Sequence, residues 1–133
     1  MEFEKLVKNL SEESRNLFEK SVATAASRSH YYIDIEHFLF QAIDSRTKEI
    51  NVLLNHFDIP VDTFLSDLNL SLEQLKTGND GFPKISPDVV RLLFEAWMIA
   101  SSQYQSIEVR PIHIFLAAID NAALRVRLVK IST

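Results

Sequence analysis

The side chains best suited to chemistry in this sequence of 133 residues are a pair of recurring glutamates and a few histidines. Glu19 and Glu95 each follow a Leu-Phe pair, and two such carboxyl groups could act as general acid and general base. Each glutamate also stands four residues after an arginine, Arg15 or Arg91, which favours an ion pair on one helix or between helices. We therefore predict no catalytic residue.

The histidines are the only side chains here with a strong preference for transition metals, because the sequence lacks cysteine. They are His30, His37, His56 and His113. None belongs to an HExxH motif or to another close ligand spacing. His37 and His113 each stand in the first turn of a predicted helix, where an imidazole nitrogen can hydrogen-bond across the turn. We interpret both as structural histidines and predict no metal site.

Nucleotide-binding motifs are missing from the sequence as well. A P-loop needs glycines five positions apart followed by Lys and Ser or Thr, and the two glycines here are Gly78 and Gly81. The dinucleotide fingerprint GxGxxG fails for the same reason. We predict that this segment is not an enzyme and binds no cofactor.

Composition is that of a soluble domain, with 47% apolar and 24% charged residues. No apolar run approaches the roughly 18 residues that span a bilayer, and the opening MEFEKLVKNL does not have the pattern of a secretory signal. The formal net charge is -4 and the basic residues are scattered, unlike those of a nucleic-acid binder. We expect one cytoplasmic domain that binds neither nucleic acid nor membranes.

Helical periodicity dominates the sequence and predicts an all-α fold. Phe3, Leu6, Val7 and Leu10 fall at i, i+3, i+4 and i+7, which predicts an amphipathic opening helix. Further helices are predicted over residues 12–26, 35–43, 48–56, from Pro60 to a glycine stop at Gly78, and over 89–102, 112–119 and 123–129. Ser11, Asp34 and Ser86 are the predicted caps, and apolar-polar alternation is confined to 31–35 and 107–109.

An internal duplication organises the chain. RNLFE at 15–19 returns as RLLFE at 91–95, and at this offset of 76 positions residues 12–44 match residues 88–120 without a gap. Two copies are too few for a solenoid, so we expect a duplicated helical bundle around a pseudo-two-fold axis. The predicted division is an additional N-terminal helix (1–11), repeat 1 (12–76), a linker (77–85) and repeat 2 (86–133).

The repeated "EH plus aliphatics" helix, EHFLF at 36–40 and HIFL at 113–116, resembles the N-terminal domain of Clp-type AAA+ ATPases. Within that family the sequence is similar to the ClpV group of the bacterial type VI secretion system, through LVKNL at 6–10, SHY at 29–31, LKTGN at 75–79, ISP at 85–87 and FEAW at 94–97. The resemblance covers residues 5–132. Ile112 replaces Glu36 in the second copy, which argues against a role that requires both acids.

The resemblance implies a recognition module of a longer, hexameric ATPase, with ATP and Mg²⁺ bound in modules outside this sequence. ClpV-group members engage an amphipathic helix of the sheath subunit TssC, also called VipB, so that the motor can disassemble the contracted sheath. The alternative is the N-domain of a general ClpB-, ClpA- or ClpC-type chaperone that binds adaptors or unfolded protein. Some relatives bind phosphoarginine through acidic residues, but Pro87 and Asp88 stand at the start of the second copy where the first copy begins with Glu12 and Glu13. The domain itself is expected to be monomeric.

A partner-binding groove is predicted where the duplication fails. The opening helix precedes the first copy, whereas the glycine-flanked linker precedes the second, and a groove between these unequal elements suits a helix. Its predicted lining is Phe3, Leu6, Val7, Leu10, Phe82, Ile85 and Val89. Packing of Leu6 and Leu10 into the core is the competing interpretation, and Phe82 and Ile85 fit either role.

Overall fold

The computed structural model describes residues 3–103 and 108–120, and the regular secondary structure of this part of the chain is almost entirely helical. Its elements in chain order are α1 (Phe3–Lys8), α2 (Glu12–Ser27), β1 (Tyr32–Ile33), α3 (Ile35–Asp44), α4 (Lys48–His56), α5 (Val61–Glu73), β2 (Lys84–Ile85), α6 (Pro87–Met98), a π-helix (Ile99–Gln103) and α7 (Pro111–Asp120). The predicted all-α fold is confirmed. No helix among the described residues has the length and apolar character needed to cross a membrane.

Side-chain caps set the starts of three helices at the predicted positions. The hydroxyl of Ser11 accepts the N–H of Ser14 (3.1 Å) at the start of α2, and that of Ser86 accepts the N–H of Val89 (3.2 Å) at the start of α6. Asp34 forms a capping box at the start of α3. Each cap satisfies a backbone donor that the helix cannot pair, and a serine cap is worth about 1 kcal/mol.

Three of the described helices end without a glycine residue in this glycine-poor chain. Ser29, Arg46 and Asp58 adopt the left-handed conformation, with φ of 57°, 54° and 54°, just after α2, α3 and α4. After α2 the N–H of His30 reaches back to the carbonyl of Ala25 (2.9 Å), which closes the helix in a Schellman-type turn. Non-glycine residues therefore accept the strained conformation at these sharp turns.

The predicted end of the fifth helix is wrong. α5 ends at Glu73, and the N–H of Leu75 bonds to the carbonyl of Leu72 (3.2 Å) in a tight turn rather than continuing the α-helix. Gly78 has φ of 101° and lies within the linker, not at a helix terminus. The opening helix is also shorter than predicted and stops at Lys8, because the chain beyond it pairs with a distant segment.

The linker pairs with the first copy of the duplication. β2 lies parallel to β1, with Ile85 opposite Ile33. The N–H of Lys84 donates to the carbonyl of Tyr31 (2.9 Å), and the N–H of Ser86 donates to the carbonyl of Ile33 (3.1 Å). The segment that leads into α6 is thus fixed against the loop between α2 and α3.

The segment that leads into α2 makes the matching contact with the second copy. Val109 corresponds to Ile33 in the duplication and forms a parallel bridge with Leu10. The N–H of Ser11 donates to the carbonyl of Val109 (2.9 Å), and the N–H of Val109 donates to the carbonyl of Asn9 (2.7 Å). The hydroxyl of Ser14 adds a third bond to the carbonyl of Val109 (2.7 Å). Each leading segment therefore crosses to the opposite copy, and the two halves interlock.

A single hydrophobic core fills the space between the two copies. α6 packs against α7, and α3 packs against both α2 and α5. Among the described residues, the two bulkiest fully buried side chains are Phe38 on α3 and Phe115 on α7. The predicted last helix, over 123–129, and Ile107 of the predicted short strand lie outside the described residues.

Candidate functional site

Two of the histidines form a buried pair. Nε2 of His37 lies 2.9 Å from Nδ1 of His30, and the N–H of Asp34 donates to Nδ1 of His37 (2.9 Å). Since that Nδ1 accepts, neutral His37 carries its proton on Nε2 and donates it to His30. The N–H of Arg110 donates to Nδ1 of His113 (2.9 Å) in the same way. The predicted hydrogen bond across the first turn is confirmed in both copies.

Burial keeps this pair uncharged at neutral pH. Burial, with a smaller contribution from the neighbouring His30, lowers the pKa of His37 from 6.5 to about 4 against the opposing effect of Asp34. Burial and the charge of Arg28 also lower the pKa of His30, against the effect of a hydrogen bond to the backbone of Leu72. Within residues 3–103 and 108–120, no cluster of three His, Asp or Glu side chains could hold a metal ion.

The ion pair predicted between Arg15 and Glu19 is not formed. The guanidinium Nη2 of Arg15 donates instead to the backbone carbonyl of Lys8 (3.0 Å), which ties α2 to the end of α1. The bond to Lys8 forms in place of the ion pair because the carbonyls of the last turn of α1 have no partner within their own helix. The side chain of Glu19 is exposed on α2.

The structure separates the seven predicted groove residues into three environments. Leu6, Leu10 and Val89 are 1%, 3% and 0% exposed, and all three belong to the core. Phe3, Val7 and Ile85 are half-buried against that core, and Phe82 is 89% exposed on the linker. Leu6 and Val89 are therefore corrected to core residues, because their own fold already covers them.

A groove between α1 and α2 contains two of the seven predicted groove residues, Val7 and Leu10. This α1/α2 groove has a volume of about 270 Å³ and is lined by Val7, Lys8, Leu10, Arg15, Phe18 and Glu19. The ring of Phe3 lies 6.1 Å from that of Phe18 between centroids, which supports one wall. Phe82 and Ile85 do not line this groove, and a groove shared by α1 and the linker stays a prediction.

A second groove lies between α4 and α7 and was not predicted. This α4/α7 groove, of about 590 Å³, is lined by Lys48, Glu49, Val52, Leu53, His56, Ile112 and Leu116. Glu49 in this lining forms a 2.7 Å ion pair with Arg110. Val52 is 59% exposed in this groove, but exposure is a property of the folded chain, so the sequence carried no signal for it.

A family model confirms the resemblance to Clp N-terminal domains that the duplicated sequence indicated. The Clp repeat (R) N-terminal domain matches residues 9–129, almost the entire chain. The chain belongs to the Clp N-terminal domain family. The chaperone protein ClpB of Yersinia enterocolitica is 25% identical over 114 residues, which cover 86% of this chain and 13% of that protein. This Clp N-terminal domain thus spans a small part of its curated relative.

Solved structures with the same fold include several N-domains of ClpV. The N-domain of ClpV from Vibrio cholerae superposes with a TM-score of 0.85 at 25% identity, covering 100% of this chain and 82% of that one. A complex of the ClpV N-domain with a VipB peptide gives 0.81 at 24% identity, covering 100% and 84%. A structure from work on the ATPase ClpV, the TssB-TssC sheath and the accessory HsiE protein gives 0.91 at 17% identity, covering 99% and 82%.

Four lining residues of the α1/α2 groove in this Clp N-terminal domain were not predicted as site residues: Lys8 lies on α1, and the other three lie on α2, namely Arg15, Phe18 and Glu19. These three occupy i, i+3 and i+4 on α2 and therefore share one helix face. The signal was the repeated RNLFE motif itself, whose Arg15 and Glu19 were predicted only to form an ion pair. Phe18 is only half-buried, so the motif serves the core and the groove together.

Proposed function

We propose that this Clp N-terminal domain is the substrate-recognition module of a ClpV-like ATPase. It binds an amphipathic helix of the sheath subunit TssC (VipB) in the α1/α2 groove, so that the motor can disassemble the contracted type VI secretion sheath. The observation that carries the proposal is an apolar groove, with Val7, Leu10 and Phe18 in its lining, on a fold shared with ClpV N-domains. A VipB peptide complex of one such N-domain supports the choice of partner.

The size of the groove suits a partner that must later be released. At about 270 Å³ it is near the lower limit of small-ligand pockets and accommodates few anchor side chains of a helix. One helix in a groove buries less than roughly 1,200 Å² in total, which is the range of transient interfaces. We expect a Kd of about 1 μM, equivalent to roughly 8 kcal/mol.

Isothermal titration of the purified domain with the N-terminal helix peptide of TssC tests the proposal. The expected result is saturable binding in the micromolar range. No detectable heat at about 100 μM peptide would contradict the proposed function, since binding weaker than that does not support specific recognition.

Replacing Val7 with Arg is expected to weaken peptide binding at least about tenfold, because a charged side chain then occupies the apolar lining of the α1/α2 groove. Val52→Arg makes the same exchange in the α4/α7 groove and should leave the affinity unchanged. If Val52→Arg abolishes binding while Val7→Arg does not, the helix binds between α4 and α7. Loss of binding in Ile85→Arg would instead support the linker groove predicted from the sequence.

A general chaperone N-domain is the second candidate. The identity with ClpB favours it, as does the N-terminal domain of Hsp104 from Candida albicans, which superposes with a TM-score of 0.76 at 17% identity over 92% of this chain and 81% of that one. Competition between the TssC peptide and an unfolded model protein separates the two functions. A sheath-specific domain keeps its peptide when the unfolded protein is in excess, whereas a general one releases it.

Nucleotide hydrolysis is proposed to take place in other parts of the parent protein. We propose that ATP and Mg²⁺ bind in ATPase modules that also form the hexamer, and that the domain described here supplies recognition alone. Nucleotide hydrolysis by the purified domain would contradict this division.

A further inference from the structure

Charged side chains flank the apolar lining of the α1/α2 groove in a fixed order. Lys8 ends α1 and Arg15 lies near the start of α2, so the two cations stand at one end. Glu19 follows one helical turn further along α2, beyond Phe18. A helix lying along this groove meets positive charge first and negative charge one turn later.

Arg15 is oriented by the protein yet retains donors for a partner. One of its five N–H groups is used in the 3.0 Å bond to the carbonyl of Lys8. The salt bridges found among the described residues join Arg46 to Asp62 and Arg110 to Glu49, and none involves Arg15. Its side chain is exposed, so the remaining N–H groups can receive a carboxylate in two parallel hydrogen bonds.

We propose that the helix bound in this groove carries an acidic residue beside its apolar stripe, and that Arg15 pairs with that acid, assisted by Lys8. The inference rests on the proposed function and specifies the chemistry of its partner. Glu19 repels a second acid one turn further on and favours a base there. An acid and a base spaced one turn apart on the partner thus fix the direction and register of the bound helix.

Charge reversal on both sides of the interface tests the pairing. The domain variants are Arg15→Glu, Lys8→Glu and a control, Arg91→Glu, whose arginine is exposed at the corresponding position of α6. The peptides are the N-terminal helix of TssC and a set in which each Asp or Glu is separately replaced by Lys. Titrations are run at low ionic strength, where exposed charges are least screened.

We expect Arg15→Glu to weaken binding of the native peptide about tenfold, Lys8→Glu to weaken it less, and Arg91→Glu to leave it unchanged. One acid-to-lysine peptide should lose affinity for the wild-type domain and regain it with Arg15→Glu, as a coupled pair requires. Circular dichroism verifies that the variants remain helical, and Lys8→Glu repeats the swap if Arg15→Glu does not fold.

Two outcomes overturn the pairing while the proposed function stands: every acid-to-lysine peptide binds wild type as well as the native peptide does, or Arg91→Glu weakens binding as much as Arg15→Glu. If the wild-type domain binds no TssC peptide at all, the proposed function and the pairing both fail.

Discussion

Replacement of Phe38 by Ala is expected to lower the free energy of unfolding by about 4 kcal/mol. Phe38 is 0% exposed and has a bulky, fully buried side chain, so its loss leaves a cavity in addition to the lost burial. Its ring also meets that of Phe18 edge-on, with centroids 5.7 Å apart. Urea unfolding measures the change as a lower midpoint with an unchanged slope.

Phe82 provides the matched control, because it is the same residue type at 89% exposure. Phe82→Ala should change the free energy of unfolding by no more than about 0.5 kcal/mol. Equal effects of the two substitutions would show that α3 does not occupy the centre of the core. Because Phe18 lines the α1/α2 groove, Phe38→Ala should also weaken peptide binding under conditions where the variant is still folded.

Acidification from pH 7 to pH 4 is expected to cost about 3 kcal/mol of stability through His37 alone. Its pKa falls from 6.5 to about 4 in the folded domain, so between these pH values the unfolded chain binds a proton that the folded chain does not. Stability from this group is therefore complete above pH 6.5 and is lost as the pH falls towards 4. The lowered pKa of His30 acts in the same direction.

Urea unfolding at a series of pH values measures this dependence. His37→Gln should be less stable than wild type at pH 7.5, because the bond to His30 is lost, but its stability should fall less steeply with acid. His56→Gln changes an exposed histidine on α4 and should reproduce the wild-type slope. Parallel curves for wild type and His37→Gln between pH 7 and 4.5 would refute the assignment.

The helices could be located from the sequence because helix caps and apolar spacing are local features of the chain. Ser11, Asp34 and Ser86 cap the helices that they were predicted to cap, and the spacing of apolar residues marked the helices that follow. The end of the fifth helix was placed at Gly78 rather than Glu73, because glycine was interpreted as a helix stop where the structure uses it in a linker. Three helices are followed by non-glycine residues in the left-handed conformation, and amino-acid composition does not predict these helix ends.

The candidate site was predicted less well than the fold. Val7 and Leu10 do line the α1/α2 groove. Leu6 and Val89 were also chosen as apolar residues, but both are buried in the core. An apolar residue at helical spacing is equally suitable for a core and for a partner, so the pattern alone could not separate the two roles. Phe18 shows the reverse error, since it was not predicted as a site residue and yet lines the groove.

By itself the sequence determined that this protein is a duplicated helical domain of the Clp N-terminal type, because helix periodicity, caps and an ungapped repeat are written in neighbouring residues. Only the tertiary structure decided that each leading segment crosses to the opposite copy, as Leu10 does with Val109 and Ile85 with Ile33. It also decided that Arg15 holds the end of α1 rather than pairing with Glu19. The physical reason is the same in each case: exposure and pairing depend on which distant surfaces meet, and spacing along one helix does not specify that.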